Sequence, residues 1–559
     1  MFRSNLSTST VLLALATGGL YSFFLYSPLV FDDVYLFLAG EPEKYLDRGL
    51  QLSPRWIPYV TLVLTYVHLG PELIWLRLGN VILHILVGLA LFIFMRRMIL
   101  DLDSQRNEGM GPVWAAALAT LFFLLHPVTV YAAGYLIQRT ILLATLFSLL
   151  TCLAFWQGLK GSRIVLWSSS LLYVLAVYSK EHAVMVPVVC LGLGVLYRRS
   201  GLQVRPARTE LAALFGIFAL TALIVTYQVK YVVGSVYEPA AAGMLQVAAL
   251  NVPVDLAYSL SVLTQAGLFF KYLFLWTLPN VNRMSVDMRE PFALVLSGPG
   301  LAGLLLFITY PIASMSLLWQ GGRRGLVGFA LLAPWLLFVT EIATVRLQEI
   351  FVLYRSYLWM PLVFLLVAMG LVRLKKKLAF ALAAILLVFL FALSYDRLYS
   401  FSHPFLLWDE AARVAEQNAG KPGVVGLERI YHNRGLALFR EGFLPNAVQD
   451  YDKAIELRPD YSYVYNDRGA AKLDMKDALG ALDDFDTAIR LNPTYLRPYA
   501  GRAMALENLN RNKEAQKAHQ LACSAGWIPS CSRAQQAELV SDHGYGLSRP
   551  PGLGSEEGR

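Results

Sequence analysis

Asn433-Arg434-Gly435-Leu436-Ala437 returns 34 residues later as Asp467-Arg468-Gly469-Ala470-Ala471, and Asp452-Lys453-Ala454-Ile455 returns as Asp486-Thr487-Ala488-Ile489. The same offset relates Pro459 to Pro493, Tyr465 to Tyr499 and Ala471 to Ala505. A fixed period of this length marks a small two-helix unit repeated in tandem. Gly435 and Ala437 let the two helices approach closely, and the proline ends the second. Three units fit within roughly 427–530, which reaches the number needed for a continuous core. The remainder, 531–559, is rich in Gly, Ser and Pro and reads as a disordered tail.

Toward the N-terminus the composition changes. Of 559 residues only 16% are charged and 56% are hydrophobic, with a mean hydropathy of +0.50. A soluble chain carries about 25% charged residues. The shortfall excludes a wholly soluble enzyme, a disordered protein and a disulfide scaffold. It is concentrated in 1–400, with 401–426 as a connecting helix or linker. Apolar runs near the 20-residue length of a membrane helix fall at 9–29, 72–95, 112–130, 140–158, 164–179, 182–197, 210–230, 296–319, 325–343, 356–372 and 378–396, eleven in all. The first is read as a retained span.

The net charge of +9 is explained by topology and gives no reason to expect nucleic acid. With a cytoplasmic N-terminus, the inner loops gain Arg96-Arg97, Lys160 and Arg163, Arg198-Arg199, Arg323-Arg324 and Lys375-Lys376-Lys377, as the positive-inside rule requires. Stretch 255–278 is then an interfacial or re-entrant helix, with Lys271 and Trp276 at the interface. The repeats fall on the outer side: the periplasm for a bacterial inner membrane, the lumen for endoplasmic reticulum. Twelve spans with a cytoplasmic tail is the alternative. Cys152 and Cys190 sit in apolar runs, while Cys523 and Cys531 are disulfide candidates at the end of the repeats.

Ionisable residues beside or within spans carry the functional reading. Asp32-Asp33 directly follows the first run. Two adjacent carboxylates suit a divalent cation such as Mg or Mn, a base tuned by its neighbour, or a solvated boundary pair. Arg55, His126, Arg139, Lys180, Glu181, Arg346 and Arg355 lie on the same side by topology, and the basic ones suit a lipid-linked phosphate. His84, within an apolar run, suits an interhelix hydrogen bond. Leu296-Ser297-Gly298-Pro299-Gly300 lacks a following Lys-Ser/Thr and is no phosphate loop.

The 34-residue pattern is that of the tetratricopeptide repeat (TPR), an α-solenoid that presents a groove to peptides. With the N-terminal motifs, the whole chain resembles the GT-C type of membrane glycosyltransferase that carries C-terminal TPRs, the transmembrane and tetratricopeptide-repeat O-mannosyltransferases and their bacterial relatives. The resemblance rests, in order, on Phe31-Asp32-Asp33, Arg55-Trp56-Ile57-Pro58, Leu78-Gly79-Asn80 through His84, Leu125-His126-Pro127-Val128 with Arg139, Ser179-Lys180-Glu181 and Leu407-Trp408-Asp409-Glu410-Ala411. Pro58 is displaced from the family's position after the arginine, and Arg139 is followed by Thr140-Ile141-Leu142 where the family often has an acid. The sugar therefore stays open.

The resemblance implies an all-α polytopic GT-C fold and an inverting transferase moving a sugar from a polyprenyl-phosphate donor to an acceptor hydroxyl outside the cytoplasm. Asp32 or Asp33 would be base or metal ligand. Arg55, Arg139, Lys180 and His126 would contact donor phosphate, with Glu181, Arg346, Arg355 and His84 as support. The TPR groove would recruit a protein acceptor. Alternatives are a transferase for lipid or glycan acceptors, and a non-enzymatic membrane scaffold or polyprenyl-lipid transporter.

Overall fold

The computed structural model describes residues 2–30, 33, 53–70, 72–103, 110–229, 234–235, 250, 252–524 and 531. Asp32 and the 532–559 tail lie outside the described residues. The chain divides into two compact units, 1–426 and 427–559. Among the described residues it is all-helical, with one isolated antiparallel bridge, Met288 to Phe351.

Among the described residues of the first unit seven helices are long and apolar enough to cross a membrane, or eight if the bent pair Pro112–Leu124 and Pro127–Ala133 forms one span. This differs from the eleven runs counted in the sequence. Arg163–Ser179 is a short apolar helix. The run at 356–372 is broken into Leu353–Tyr357, Pro361–Val363 and Phe364–Leu371. Pro361 opens its short turn directly after the cap Met360, the position a proline favours at a helix start. The 67° bend between Pro112–Leu124 and Pro127–Ala133 has a proline in the same position, since Pro127 starts the second piece with His126 as its N-cap.

Burial separates central helices from peripheral ones. Leu136–Gly158 has 78% of its apolar window buried, whereas Arg208–Val229 has 17%. The latter exposes Leu220, Leu223 and Tyr227, an apolar surface suited to lipid. Stretch 255–278 forms one continuous helix, Val254–Thr277, with a buried face that includes Ser261, Gln265, Phe269, Tyr272 and Trp276. Trp276 is 5% exposed and donates to Ser356 Oγ at 2.9 Å, so it is a packing residue and not the interfacial anchor expected. Helix Pro404–Glu416 buries Leu407, Trp408, Ala411 and Ala412 within this unit.

Among its described residues the second unit holds six helices in three pairs, Leu427–Arg440 with Leu444–Leu457, Ser462–Asp474 with Ala478–Leu491, and Arg497–Asn508 with Asn512–Ser524. The repeated glycines explain the pairing. A Cβ on Gly435 would lie 2.8 Å from the Tyr451 ring, and one on Gly469 would lie 3.0 Å from Phe485. Arginines repeat as rungs. Arg434 binds Asp450 and Arg468 binds Asp484, each through two nitrogens, while Arg468 also reaches Asp452 at 2.5 Å. Arg502 reaches back to Asp486 at 2.6 Å. Cys523 and Cys531 are joined by a disulfide, and Cys152 and Cys190 are buried thiols.

Candidate functional site

Four separate stretches of the first unit meet in a chain of ion pairs. Arg55 takes a left-handed backbone (φ 65°) at the start of helix Trp56–Leu69. Its guanidinium holds Glu181 through two bonds, Nε to Oε2 at 2.9 Å and Nη2 to Oε1. Glu181 lies 3.5 Å from His182 Nδ1, and His182 Nε2 lies 3.2 Å from Glu341 Oε1. Glu341 accepts from Arg355 at 3.1 Å, and Arg355 also binds the Glu349 carboxylate. Arg346 Nε stands 3.9 Å from Glu341.

Lys180 closes on this chain from the turn between Arg163–Ser179 and Glu181–Met185. It is 5% exposed. Its ammonium lies 3.2 Å from Gln138 Oε1, 3.5 Å from Thr140 Oγ1 and 4.8 Å from the Tyr354 ring centre. Burial first, and the Arg55 charge second, push its pKa down to about 7. Beside these groups is a cleft of about 120 Å³ whose lining includes Glu181, His182 and Arg346, the threonines Thr226 and Thr340, and the apolar Val225 and Val229.

The loop bearing Arg346, Glu349 and Arg355 is held by a single stripe of helix Val254–Thr277. Ser261 Oγ accepts from Arg346 N at 3.1 Å, Gln265 donates to Ile350 O at 2.7 Å, and Tyr272 Oη accepts from Val352 N at 2.8 Å and donates to Val352 O at 3.0 Å. Trp276 completes the stripe on Ser356. The spacings i, i+4, i+11 and i+15 put all four on one helix face. The helix read as interfacial is therefore the support of the site.

Asp33 is fully buried, and its two carboxylate oxygens accept from Leu136 N at 3.3 Å and Ile137 N at 2.9 Å. Arg77, buried in helix Leu73–Leu102, lies within electrostatic reach of it and grips the backbone oxygens of Ser27, Pro28 and Gly134 at 2.5–2.9 Å. Asp33 is thus an anchor for the first loop. Among the described residues no three His, Cys, Asp or Glu side chains converge to hold a metal.

Other expected contacts go elsewhere. Arg139 donates to Asn80 Oδ1, Leu76 O, Thr61 O and Thr65 Oγ1 at 2.8–3.2 Å. It clamps helices Trp56–Leu69 and Leu73–Leu102 to its own, and this leaves its guanidinium engaged where a phosphate contact was expected. His126 Nδ1 caps Val128 N at 3.3 Å, and its ring stacks on Trp276 at 4.5 Å. His84 bridges Tyr357 Oη at 2.7 Å and Leu124 O at 3.0 Å, the interhelix role its setting suggests. Arg55, Lys180, Glu181, Arg346 and Arg355 are brought together. Glu341 and Arg77 were missed because each lies inside an apolar run; a charge there is itself the signal.

The fold defines a helical unit with membrane-length apolar helices, followed by TPR units. Residues 435–476 match the family described as TPR repeat. No curated protein matches the chain. Among solved structures it is similar to the first TPR of Spaghetti (RPAP3) bound to an HSP90 peptide, with 19% identity, 21% of this chain and 94% of that one covered, and a TM-score of 0.20. It is likewise similar to the Sgt2 TPR domain from Aspergillus fumigatus, with 14% identity, 24% and 93% covered, and a TM-score of 0.21.

Proposed function

We propose that this protein is a membrane glycosyltransferase of GT-C type that moves a sugar from a polyprenyl-phosphate donor to an acceptor hydroxyl on a protein, with its TPR units recruiting the acceptor. The observation that carries this reading is the cluster of Arg55, His182, Arg346 and Arg355 linked through Glu181, Glu341 and Glu349, with the buried Lys180 next to it, set beside a cleft whose lining is both charged and apolar. A lipid phosphate likewise combines an anionic head with an apolar tail.

The chemistry follows from the groups present. Lys180 and Arg346 face the departing phosphate and stabilise its growing charge. Glu181, Glu341 and Glu349 hold the cations in place before the donor arrives, so no reorganisation is needed at the moment of transfer. Asp33 holds two backbone amides of the 136–137 turn, and its neighbour Asp32 is assigned as the base that takes the acceptor proton. A single displacement inverts the anomeric centre and needs no second carboxylate nucleophile. Arg139 and His126 are left out of the donor-contact set, and His84 is left out of the supporting one.

The test is transfer of a radiolabelled sugar from polyprenyl-phosphate donors to peptide acceptors by the full chain in lipid nanodiscs. Asp32→Asn lowers the rate by about 10²–10⁴, the usual contribution of a general base, with an unchanged unfolding temperature. Full transfer by Asp32→Asn and by Lys180→Gln would sink the assignment.

A further inference from the structure

The segment that leads into the repeats is fastened to the loop that carries Glu349 and Arg355, and one side chain does the fastening. Arg289 is 3% exposed. Its Nη1 donates to Gln348 O at 2.9 Å and to Val425 O at 3.4 Å, while Nη2 pairs with Asp287 at 2.8 Å. Gln348 directly precedes Glu349, and Val425 lies two residues before the first repeat helix at Leu427. The same guanidinium therefore touches both the site loop and the root of the repeats.

The surrounding contacts make this a built joint. Phe292 N donates to Gly423 O at 2.9 Å, and Asn418 Nδ2 donates to Arg289 O at 2.9 Å. Met288 bridges Phe351. Gly423 and Gly426 both take left-handed backbone, φ 86° and 85°. A Cβ on Gly426 would fall 2.0 Å from Arg289 Nη1, and one on Gly423 would fall 2.1 Å from Phe292 O. Glycine is required twice, once for the backbone angle and once for the close approach.

We propose that Arg289 is a positioning residue that locks the 347–355 loop to the 417–426 segment, so that load placed on the repeats by a bound acceptor is transmitted to Glu349 and Arg355. The proposal deepens the transferase reading and rests on it for the meaning of the loop, but the lock itself is read without any transfer assay.

The experiment is amide hydrogen exchange on the full chain in nanodiscs, comparing wild type with Gly426→Ala and Arg289→Lys. The alanine displaces the guanidinium, and the lysine keeps the charge but has one nitrogen where the guanidinium uses two, so it cannot hold Asp287 and both carbonyls together. Both variants raise exchange in 347–355 by about tenfold or more, the scale of losing hydrogen bonds from a charged donor, while helices 139–158 and 462–491 keep wild-type protection. Unchanged exchange in 347–355 in either folded variant overturns the lock. A rise spread over the whole first unit also overturns it, since Arg289 would then be a general support of the fold. If the loop responds and sugar transfer is nowhere detectable, the lock stands and the transferase reading fails.

Discussion

Asp33 and Lys180 are buried charges with different answers to burial. Asp33 is satisfied by two backbone amides, so Asp33→Asn leaves one amide facing an NH₂ group and costs about 1–3 kcal/mol of stability, read as a lowered unfolding midpoint in detergent. Lys180 is held near neutrality, with a pKa of about 7. It is mostly uncharged at pH 8 in the ligand-free protein. An anionic phosphate favours its charged form, so binding at pH 8 takes up a proton, and affinity falls as pH rises above about 7. Titration calorimetry with farnesyl phosphate in buffers of different ionisation enthalpy reads the proton directly. Equal heats in all buffers would remove Lys180 from the site. At this scale the sequence was informative wherever a charge sat in a loop between apolar runs, as with Arg55, Lys180 and Arg355. It could not say that Arg139 would be consumed by Asn80 and Thr65, because that depends on which helices pack together.

Helices succeed or fail here on single positions. Gly501 packs so tightly that a Cβ would lie 2.4 Å from the Phe485 ring. Gly501→Ala overpacks this joint and costs about 1–3 kcal/mol, measured as a lower midpoint for the repeat unit. An unchanged midpoint would mean that the ring moves aside. The repeat helices were legible because their period is written in small residues and prolines. The span at 356–372 was not, because hydropathy does not register that Pro361 opens a new turn after Met360. Helix Val254–Thr277 was seen, yet its role was hidden. Ser261, Gln265, Tyr272 and Trp276 form a polar and aromatic stripe with no charge to attract notice, and their partners lie about 80 residues away, at separations of 80–85.

For the whole molecule, the two units carry separate accounts of stability. The Cys523–Cys531 bond spans eight residues, and closing a loop of that length is worth about 2.5 kcal/mol in the chain-entropy account. Cys523→Ser should lower the midpoint of the repeats by that order and leave the apolar unit unchanged. If the repeats lie outside the cytoplasm, alkylation of intact cells before lysis will leave both cysteines unlabelled until reductant is added. Labelling without reductant would contradict an oxidising compartment. The arginine rungs have a further consequence. Arg468 serves its own unit through Asp484 and the preceding unit through Asp452, and Arg502 reaches back to Asp486. When one unit melts, it withdraws charged partners from its neighbour as well as apolar surface. Fraying from either end is thereby discouraged, and the array is expected to lose its helices in one cooperative step, at a temperature that added salt lowers.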